Sequence, residues 1–147
     1  MPPPDKRQVP AFDRPVSTPM STPTFAGNRV LIVEDDMMVA FMIEDFFQDL
    51  ACHIVGVEMR LEQALEAARQ NDIDFALLDI NLNGEESFPV ADILRDRGVP
   101  FVFATGYSAA IIPERFNGAG VLAKPFDATN LQAMLAHVFD KGGEAAN

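Results

Sequence analysis

Residues 29–50 read RVLIVEDDMMVAFMIEDFFQDL, and this stretch decides the class of fold. It begins with a short apolar run at 30–33, passes through three acids, and continues at 37–50 with apolar residues three and four positions apart. A short apolar run bounded by polar residues is typical of a buried strand, and the longer spacing is typical of a helix. The stretch therefore predicts a strand–helix unit with acids at the carboxyl end of its strand.

The same alternation recurs along the rest of the chain. Four more short apolar runs predict strands at 54–57, 75–78, 101–104 and 121–123. Helical spacing recurs at 61–70, about 89–97 and 131–139. The connection 108–115 predicts only a short or irregular helix, because Pro113 lacks a backbone donor.

Strands alternating with helices in this way predict an α/β protein with a doubly wound (βα)5 architecture. Such apolar strands must be covered on both faces, and right-handed crossovers place helices there, so we expect a three-layer sandwich around a parallel sheet. Ligands of these sheets bind at the carboxyl ends of the strands, near the point where strand order reverses. The functional residues are therefore sought at that edge.

Composition divides the 147-residue chain into parts. Seven of the 11 prolines precede Ala26, in a segment without apolar periodicity, so residues 1–26 are predicted to be a disordered tail. We interpret it as a solvated leader or an extension, with a partner-docking arm as the alternative. The folded domain is expected at 27–140, followed by a disordered tail at 141–147. No signal peptide or stretch of about 18 apolar residues is found, so a cytoplasmic protein is expected.

The charge of the chain excludes several classes of partner. Its 22 acidic and 11 basic residues give a formal net charge of −11. Such a chain has no broad basic surface for phosphate backbones or anionic lipids, so neither nucleic acid nor membrane is expected as a partner. Cys52 is the single cysteine, which excludes an internal disulfide and a multi-cysteine metal site.

Acidic residues follow the first and third predicted strands. Glu34, Asp35 and Asp36 come after the first, and Asp79 comes after the third. Taken separately, Asp36 could cap the next helix and Asp79 could bind loop amides. If the two strands are neighbours, however, the carboxylates converge and require a cation. Carboxylate oxygens are ligands for Mg²⁺, and a carboxylate left free could form an acyl phosphate.

The fourth and fifth predicted strands end in Thr105 and Lys124. A hydroxyl donor and an ammonium group at this edge suit the oxygens of a phosphoryl group. The structural alternative is an ion pair of Lys124 with Asp35 or Asp79, and a capping role for Thr105.

Four motifs in this order resemble the receiver domain of two-component response regulators. They are VLIVEDD at 30–36, LLD at 77–79, FAT at 103–105 and AKPF at 123–126. The resemblance covers about 29–139 and implies a flavodoxin-like fold with strand order 2-1-3-4-5. A Mg²⁺-dependent phosphohydrolase would instead place its nucleophile after the first strand, and a flavin-binding module would need a Ser/Thr/Gly-rich loop there.

The resemblance also implies roles for individual residues. Asp79 would be the phosphoacceptor, and Thr105 and Lys124 would hold the phosphoryl oxygens. Mg²⁺ would be bound directly by Asp35 and Asp79, through water by Glu34, and by the backbone carbonyl of Asn81. In this family a cis peptide is expected before the proline that follows the lysine, here Pro125.

The stretch PFVFATGY at 100–107 is similar to the signature of a receiver subfamily, mostly single-domain alphaproteobacterial regulators, several of them in stress signalling. Two departures from the commonest receiver pattern accompany it. Val121 stands where a switching aromatic is usual, and Asn83-Gly84 forms a loop that usually contains proline. We therefore predict that Gly106 and Tyr107 supply the switch, with a merely covering role for Tyr107 as the alternative.

Partner recognition is predicted on the first helix, which is apolar around most of its circumference. One face must pack on the sheet, which leaves Met38 and Phe41 for docking. The resemblance implies that Pro125 and Phe126, after the last strand, contact the same partner. The alternative is that neighbouring helices bury both faces. The resemblance implies a histidine kinase or a histidine-phosphotransfer protein as the partner.

These expectations describe a single-domain response regulator that is a phosphoacceptor and not an enzyme, with intrinsic phosphotransfer and autodephosphorylation chemistry. Only a short segment follows residue 139, so no DNA-binding output is expected. The protein, expected to be a monomer, would act by protein contact or by onward phosphotransfer, in a stress-related two-component or phosphorelay pathway. The alternative function is a phosphorylation-independent adaptor or scaffold that modulates a histidine kinase.

Overall fold

The computed structural model describes residues 25–106 and 111–146, with side chains described as far as Phe139. Seven strands, four α-helices and a 3-10 turn are found in these residues. In chain order they are β1 (Arg29–Val33), α1 (Met37–Asp49), β2 (His53–Glu58), α2 (Leu61–Gln70), β3 (Phe75–Asp79), β4 (Asn81–Leu82), β5 (Glu85–Glu86), α3 (Phe88–Asp96), β6 (Phe101–Thr105), the 3-10 turn Glu114–Phe116, β7 (Gly120–Ala123) and α4 (Ala128–Ala146).

Five of the strands form one parallel sheet in the order β2-β1-β3-β6-β7, and the short strands β4 and β5 form a separate antiparallel hairpin. With the hairpin set aside, this is the predicted order 2-1-3-4-5. Strand order reverses between β1 and β3, which pair in parallel as neighbours. The doubly wound α/β fold predicted from the sequence is confirmed.

The alternation of side chains along the strands builds a core on each face of the sheet. On one face, Leu31, Leu78 and Phe103 pack against helices α2 and α3. On the other, Ile32 and Leu77 pack against α1 and α4. Because successive residues of a strand point to opposite faces, continuously apolar strands supply both cores, which gives the predicted three layers.

The connection between β6 and β7 contains the 3-10 turn Glu114–Phe116 in the described residues, and residues 107–110 lie outside them. Phe116 is buried in an aromatic cluster with Phe88, Phe101 and Phe103, at ring-centroid distances of 5.4–5.9 Å. The guanidinium of Arg115 lies 4.6 Å from the centroid of the Phe116 ring. Aromatic packing thus fixes this turn against the sheet.

Helix α4 begins three residues earlier than its apolar pattern predicts. The backbone amide of Asn130 donates to Asp127 Oδ1 at 2.8 Å, and the amide of Asp127 donates to Asn130 Oδ1 at 3.0 Å. This reciprocal pair is a capping box that starts the helix at Ala128. The helix continues to Ala146, through most of the segment 141–147 that the sequence analysis treats as a tail, and the domain boundaries stay a prediction.

Among the residues that the structure describes, no helix is long and apolar enough to cross a membrane.

Removing the Phe103 ring tests the aromatic cluster. Phe103 is fully buried, so Phe103→Ala should lower the free energy of unfolding by about 3–5 kcal/mol through lost burial and a residual cavity. The matched control, Phe41→Ala, removes a ring that is 56% exposed and should cost less than about 1 kcal/mol. Urea denaturation of the three proteins measures both values, and equal losses would contradict this account of the core.

Candidate functional site

The register of the parallel sheet brings four predicted site residues to one edge. Val33 of β1 lies opposite Leu78 of β3, so the residues that follow them, Glu34 and Asp79, lie side by side. Thr105 ends β6 opposite Ala123 of β7, and Lys124 follows Ala123 directly. The site is therefore assembled by the ends of four adjacent strands.

Three carboxylates converge at this edge. Glu34, Asp35 and Asp79 each offer an oxygen, and these oxygens all lie within 4.8 Å of one another. The side chain of Glu34 is only 1% exposed, Asp79 is buried, and Asp35 is half-buried. The convergence predicted from strand order is present, and it concentrates negative charge in a largely buried place.

Lys124 lies against two of these acids. Its Nζ is 2.8 Å from Glu34 Oε1 and 3.1 Å from Asp79 Oδ2. Its backbone amide donates to the carbonyl of Thr105 at 2.9 Å, and the peptide bond to Pro125 is cis, as expected. The ion pair weighed for Lys124 is thus made with Asp79, and the sequence analysis did not anticipate the shorter contact with Glu34.

Backbone amides hold each of the three carboxylates. The amide of Asp36 donates to Glu34 Oε2 at 3.1 Å, and the amide of Asn81 donates to Asp79 Oδ1 at 3.3 Å. The amide of Asn83 donates to Asp35 Oδ2 at 2.9 Å. Loop backbone therefore fixes the orientation of the acids.

Asp36 belongs to the helix and not to the cluster. Its Oδ1 accepts hydrogen bonds from the amides of Met38 and Val39, at 2.9 and 3.2 Å, which makes it the N-cap of α1. Of the three acids after β1, one has the structural role considered for it and two face the site.

The electrostatics of the site show an excess of negative charge. Burial raises the pKa of Glu34 to about 7, although the hydrogen bond from Lys124 acts in the opposite direction. Burial also raises the pKa of Asp79, more than Lys124 lowers it. Burial disfavours the charge on Lys124, but Glu34 and Asp79 outweigh it and raise the pKa of that ammonium. One ammonium does not balance three carboxylates, so the site favours a proton or a cation.

The donor set fits a hard divalent cation. Carboxylate oxygens that converge at a partly accessible edge are the ligands that Mg²⁺ takes from proteins, with water completing the shell. Glu34, Asp35 and Asp79 are the residues that could hold it. Asn81 is half-buried two residues after Asp79, and the resemblance to receiver domains implies that its carbonyl is a further ligand.

The residues predicted to form a switch are only partly within the described range. Thr105 is buried at the end of β6, Gly106 is exposed in the bend after it, and Val121 is half-buried in β7. Tyr107 lies outside the described residues, so its role stays a prediction.

The residues predicted to meet a partner are mostly exposed. Met38 is 75% and Phe41 56% exposed on α1, and Pro125 is exposed after β7. Phe126 is different because it is buried, with its ring 6.3 Å from that of Phe46. We correct its prediction as a surface contact: the apolar character of Phe126 reflects packing under α1.

Sequence reasoning missed the hairpin that follows Asp79. Asn83 and Gly84 form a two-residue turn between β4 and β5, and both have positive φ, at 55° and 91°. An Asn-Gly pair is a common signal for such a turn. The sequence analysis describes Asn83-Gly84 only as a loop that lacks proline. The two strands beside this turn have two residues each, which is too short to show an alternating pattern.

This fold, with acids, a hydroxyl and a lysine at one edge of the sheet, defines a receiver-type domain. The family model of the response regulator receiver domain matches residues 30–136, and the chain belongs to this family. The resemblance drawn from the motifs is confirmed.

Similar proteins narrow the comparison. The chain is 30% identical over 114 residues to the phyllosphere-induced regulator PhyR of Methylorubrum extorquens. The aligned residues cover 75% of this chain and 43% of PhyR. The solution structure of SdrG from Sphingomonas melonis is 41% identical, with a TM-score of 0.69, covering 77% of this chain and 97% of SdrG. The receiver domain of PhyR from Erythrobacter litoralis is 29% identical, with a TM-score of 0.65, covering 78% and 91%. The chain spans less than half the length of the curated relatives it matches.

The raised pKa of Glu34 predicts how stability depends on pH without a divalent cation. The pKa of Glu34 in the folded protein is about 7, above its ordinary value of 4.5. The contribution of Glu34 to the free energy of unfolding is therefore greatest below pH 4.5 and decreases as the pH rises to about 7. In EDTA, stability should fall by roughly 1–3 kcal/mol as the pH rises from about 5 to 8. Urea denaturation at several pH values measures the slope. Glu34→Gln should flatten it, and an unchanged slope in that variant would contradict the assignment.

Proposed function

We propose that this chain accepts a phosphoryl group from a phosphohistidine onto Asp79, in a Mg²⁺-dependent two-component or phosphorelay pathway. The observation that carries the proposal is the setting of the Asp79 carboxylate. Oδ2 lies 3.1 Å from Lys124 Nζ and Oδ1 accepts the amide of Asn81, while Glu34 and Asp35 converge beside it. A nucleophilic oxygen, a cation for the phosphoryl group and metal ligands thus lie within one small site.

In this phosphoryl transfer, Asp79 is the protein group that forms a covalent bond. A carboxylate oxygen of Asp79 attacks phosphorus, the phosphorus–nitrogen bond of the phosphohistidine breaks, and an acyl phosphate forms. The other ring nitrogen of the phosphohistidine takes up a proton from water, so the histidine leaves as neutral imidazole. Lys124 attracts a phosphoryl oxygen, and the hydroxyl of Thr105 donates to another. Glu34 and Asp35 would hold Mg²⁺ with the carbonyl of Asn81, Glu34 acting through water. The ion, when bound, would supply positive charge to the phosphoryl oxygens.

The partner in this proposal is a histidine kinase or a histidine-phosphotransfer protein. Met38 and Phe41 are exposed on α1, the helix that begins directly after the acids that follow β1, and Pro125 is exposed directly after Lys124. In this proposal they form the apolar surface that the partner contacts. Flexible methionine side chains suit a surface that adapts to a helical partner. Output through protein contact or onward phosphotransfer completes the proposal.

The proposal also places this chain in stress signalling. It rests on the stretch PFVFATGY at 100–107 and on the likeness to PhyR and SdrG. In this proposal the switch at Gly106 and Tyr107 takes the place of the usual aromatic, where Val121 stands.

Labelling by a small phosphodonor tests the phosphoacceptor. With acetyl phosphate and Mg²⁺, the wild-type chain should gain the mass of one phosphoryl group, and Asp79→Asn should gain none, because the nucleophile is lost. Asp36→Asn, which removes the N-cap carboxylate but not a site acid, should still be labelled. Intact-mass spectrometry with an EDTA control measures each case. Labelling that survives in Asp79→Asn would overturn the assignment, and kinase binding without any labelling would favour the adaptor function instead.

Charge substitutions on α1 test the docking surface. Met38→Lys or Phe41→Lys should slow phosphotransfer from a phosphorylated kinase roughly tenfold, the effect of about 1.4 kcal/mol of lost contact. Labelling by acetyl phosphate should be unchanged, because neither residue belongs to the acid cluster. Ile111→Lys, at an exposed apolar residue outside α1, is the matched control. Equal loss with both donors would indicate misfolding and contradict a docking role.

A further inference from the structure

The hairpin Asn81–Glu86 is a compact structure directly beyond the phosphoacceptor. Strands β4 and β5 pair through Asn81 with Glu86 and Leu82 with Glu85, and the turn between them is Asn83-Gly84. Positive φ at both turn residues is the geometry of a type I′ turn. In this geometry the backbone amides of the turn have fixed directions.

The hairpin is also anchored by contacts outside the acid cluster. Leu82 is buried in the core, and the amide of Ser87 donates to the carbonyl of Ile80 at 2.8 Å. Across the turn, the amide of Gly84 donates to Asn81 Oδ1 at 2.8 Å. The turn therefore has a defined position relative to β3 and cannot adjust freely to its neighbours.

From this position the hairpin contacts Asp35 of the acid cluster. The amide of Asn83 donates to Asp35 Oδ2 at 2.9 Å, across 48 positions of sequence. Lys124 pairs with Glu34 and Asp79 among the described residues. Asp35 is thus oriented by the turn amide, whereas the other two acids share the lysine.

We propose that the Asn83-Gly84 turn is a positioning element for metal binding: its amide holds one oxygen of Asp35 and leaves the other to a divalent cation shared with Glu34 and Asp79. This inference rests on the proposed function, in which Asp35 is a metal ligand. Hydrogen bonds to a charged acceptor are strong. Mutation of a group that orients a metal ligand typically lowers metal affinity 10–100-fold.

Gly84 is the residue on which the turn geometry depends. Its φ of +91° is one that L side chains rarely adopt, while a Cβ there would meet nothing within 4 Å. A Cβ at Gly84 therefore strains the backbone without a steric clash of its own. Asn83→Gly is the complementary change, because glycine keeps the amide and tolerates the φ of 55°.

The test is a titration of the full chain with Mg²⁺, in which the amide chemical shifts in ¹⁵N–¹H NMR spectra measure binding. The same spectra show whether each variant is folded. Gly84→Val should weaken Mg²⁺ binding about tenfold, and Asn83→Gly should stay within about twofold of wild type. Gly98→Val is the matched control: Gly98 also has positive φ, at +74°, with nothing within 4 Å of a Cβ, but it follows α3. It should lose stability and keep its affinity for Mg²⁺.

The outcomes separate this inference from the proposed function. Wild-type affinity in a folded Gly84→Val protein overturns the positioning role and leaves phosphorylation of Asp79 untouched, whereas a wild-type chain that binds no Mg²⁺ overturns both. A second measurement does not depend on Gly84→Val folding. Asp35→Ala should speed hydrogen exchange of the Asn83 amide several-fold, because its acceptor is lost, and an unchanged rate would overturn the proposal.

Discussion

The ion pair of Lys124 with the buried carboxylates of Glu34 and Asp79 is the interaction on which this edge of the molecule depends. Burying one carboxylate without a partner is costly, and burying two side by side is more so. The Lys124 ammonium reduces that cost for both acids, because its Nζ lies 2.8 Å from Glu34 Oε1 and 3.1 Å from Asp79 Oδ2. Asp35 adds a third carboxylate without its own cation among the described residues, and this leaves the site short of positive charge.

The parallel sheet makes this arrangement possible because its register aligns strand ends. Glu34, Asp79, Thr105 and Lys124 each end or follow one of four adjacent strands, and their spacing follows from pairing between residues deep in the core. Packing of apolar side chains on both faces holds the strands in register, since a slip of one residue would exchange the two faces. The precision of the site is therefore supplied by the cores that flank the sheet.

The sequence predicts those features whose cause is local or periodic. Apolar runs and the residues that end them predict the five sheet strands and the convergence of Asp35 and Asp79. The order of the strands comes from the resemblance to receiver domains. It does not predict which carboxylate lies nearest Lys124, because that distance depends on how three strands twist together. The resemblance implies that Phe126 contacts a partner, but a family likeness does not say whether this ring is exposed, and in the structure it packs under α1. The early start of α4 could have been found, since Asp127 and Asn130 have the spacing of a capping box.

The remaining negative charge connects stability to function at this site. Burial raises the pKa of Glu34 to about 7, so without a cation this carboxyl can take up a proton near neutral pH and relieve part of the excess charge. A divalent cation would relieve the same repulsion while leaving the carboxylates ionised, which a nucleophilic Asp79 requires. Backbone amides from the loops after β1 and β3 hold the acids in place whichever cation is present. The fold has thus already brought this charge together, so a divalent cation bound there would neutralise part of it and would stabilise the folded state by binding to it.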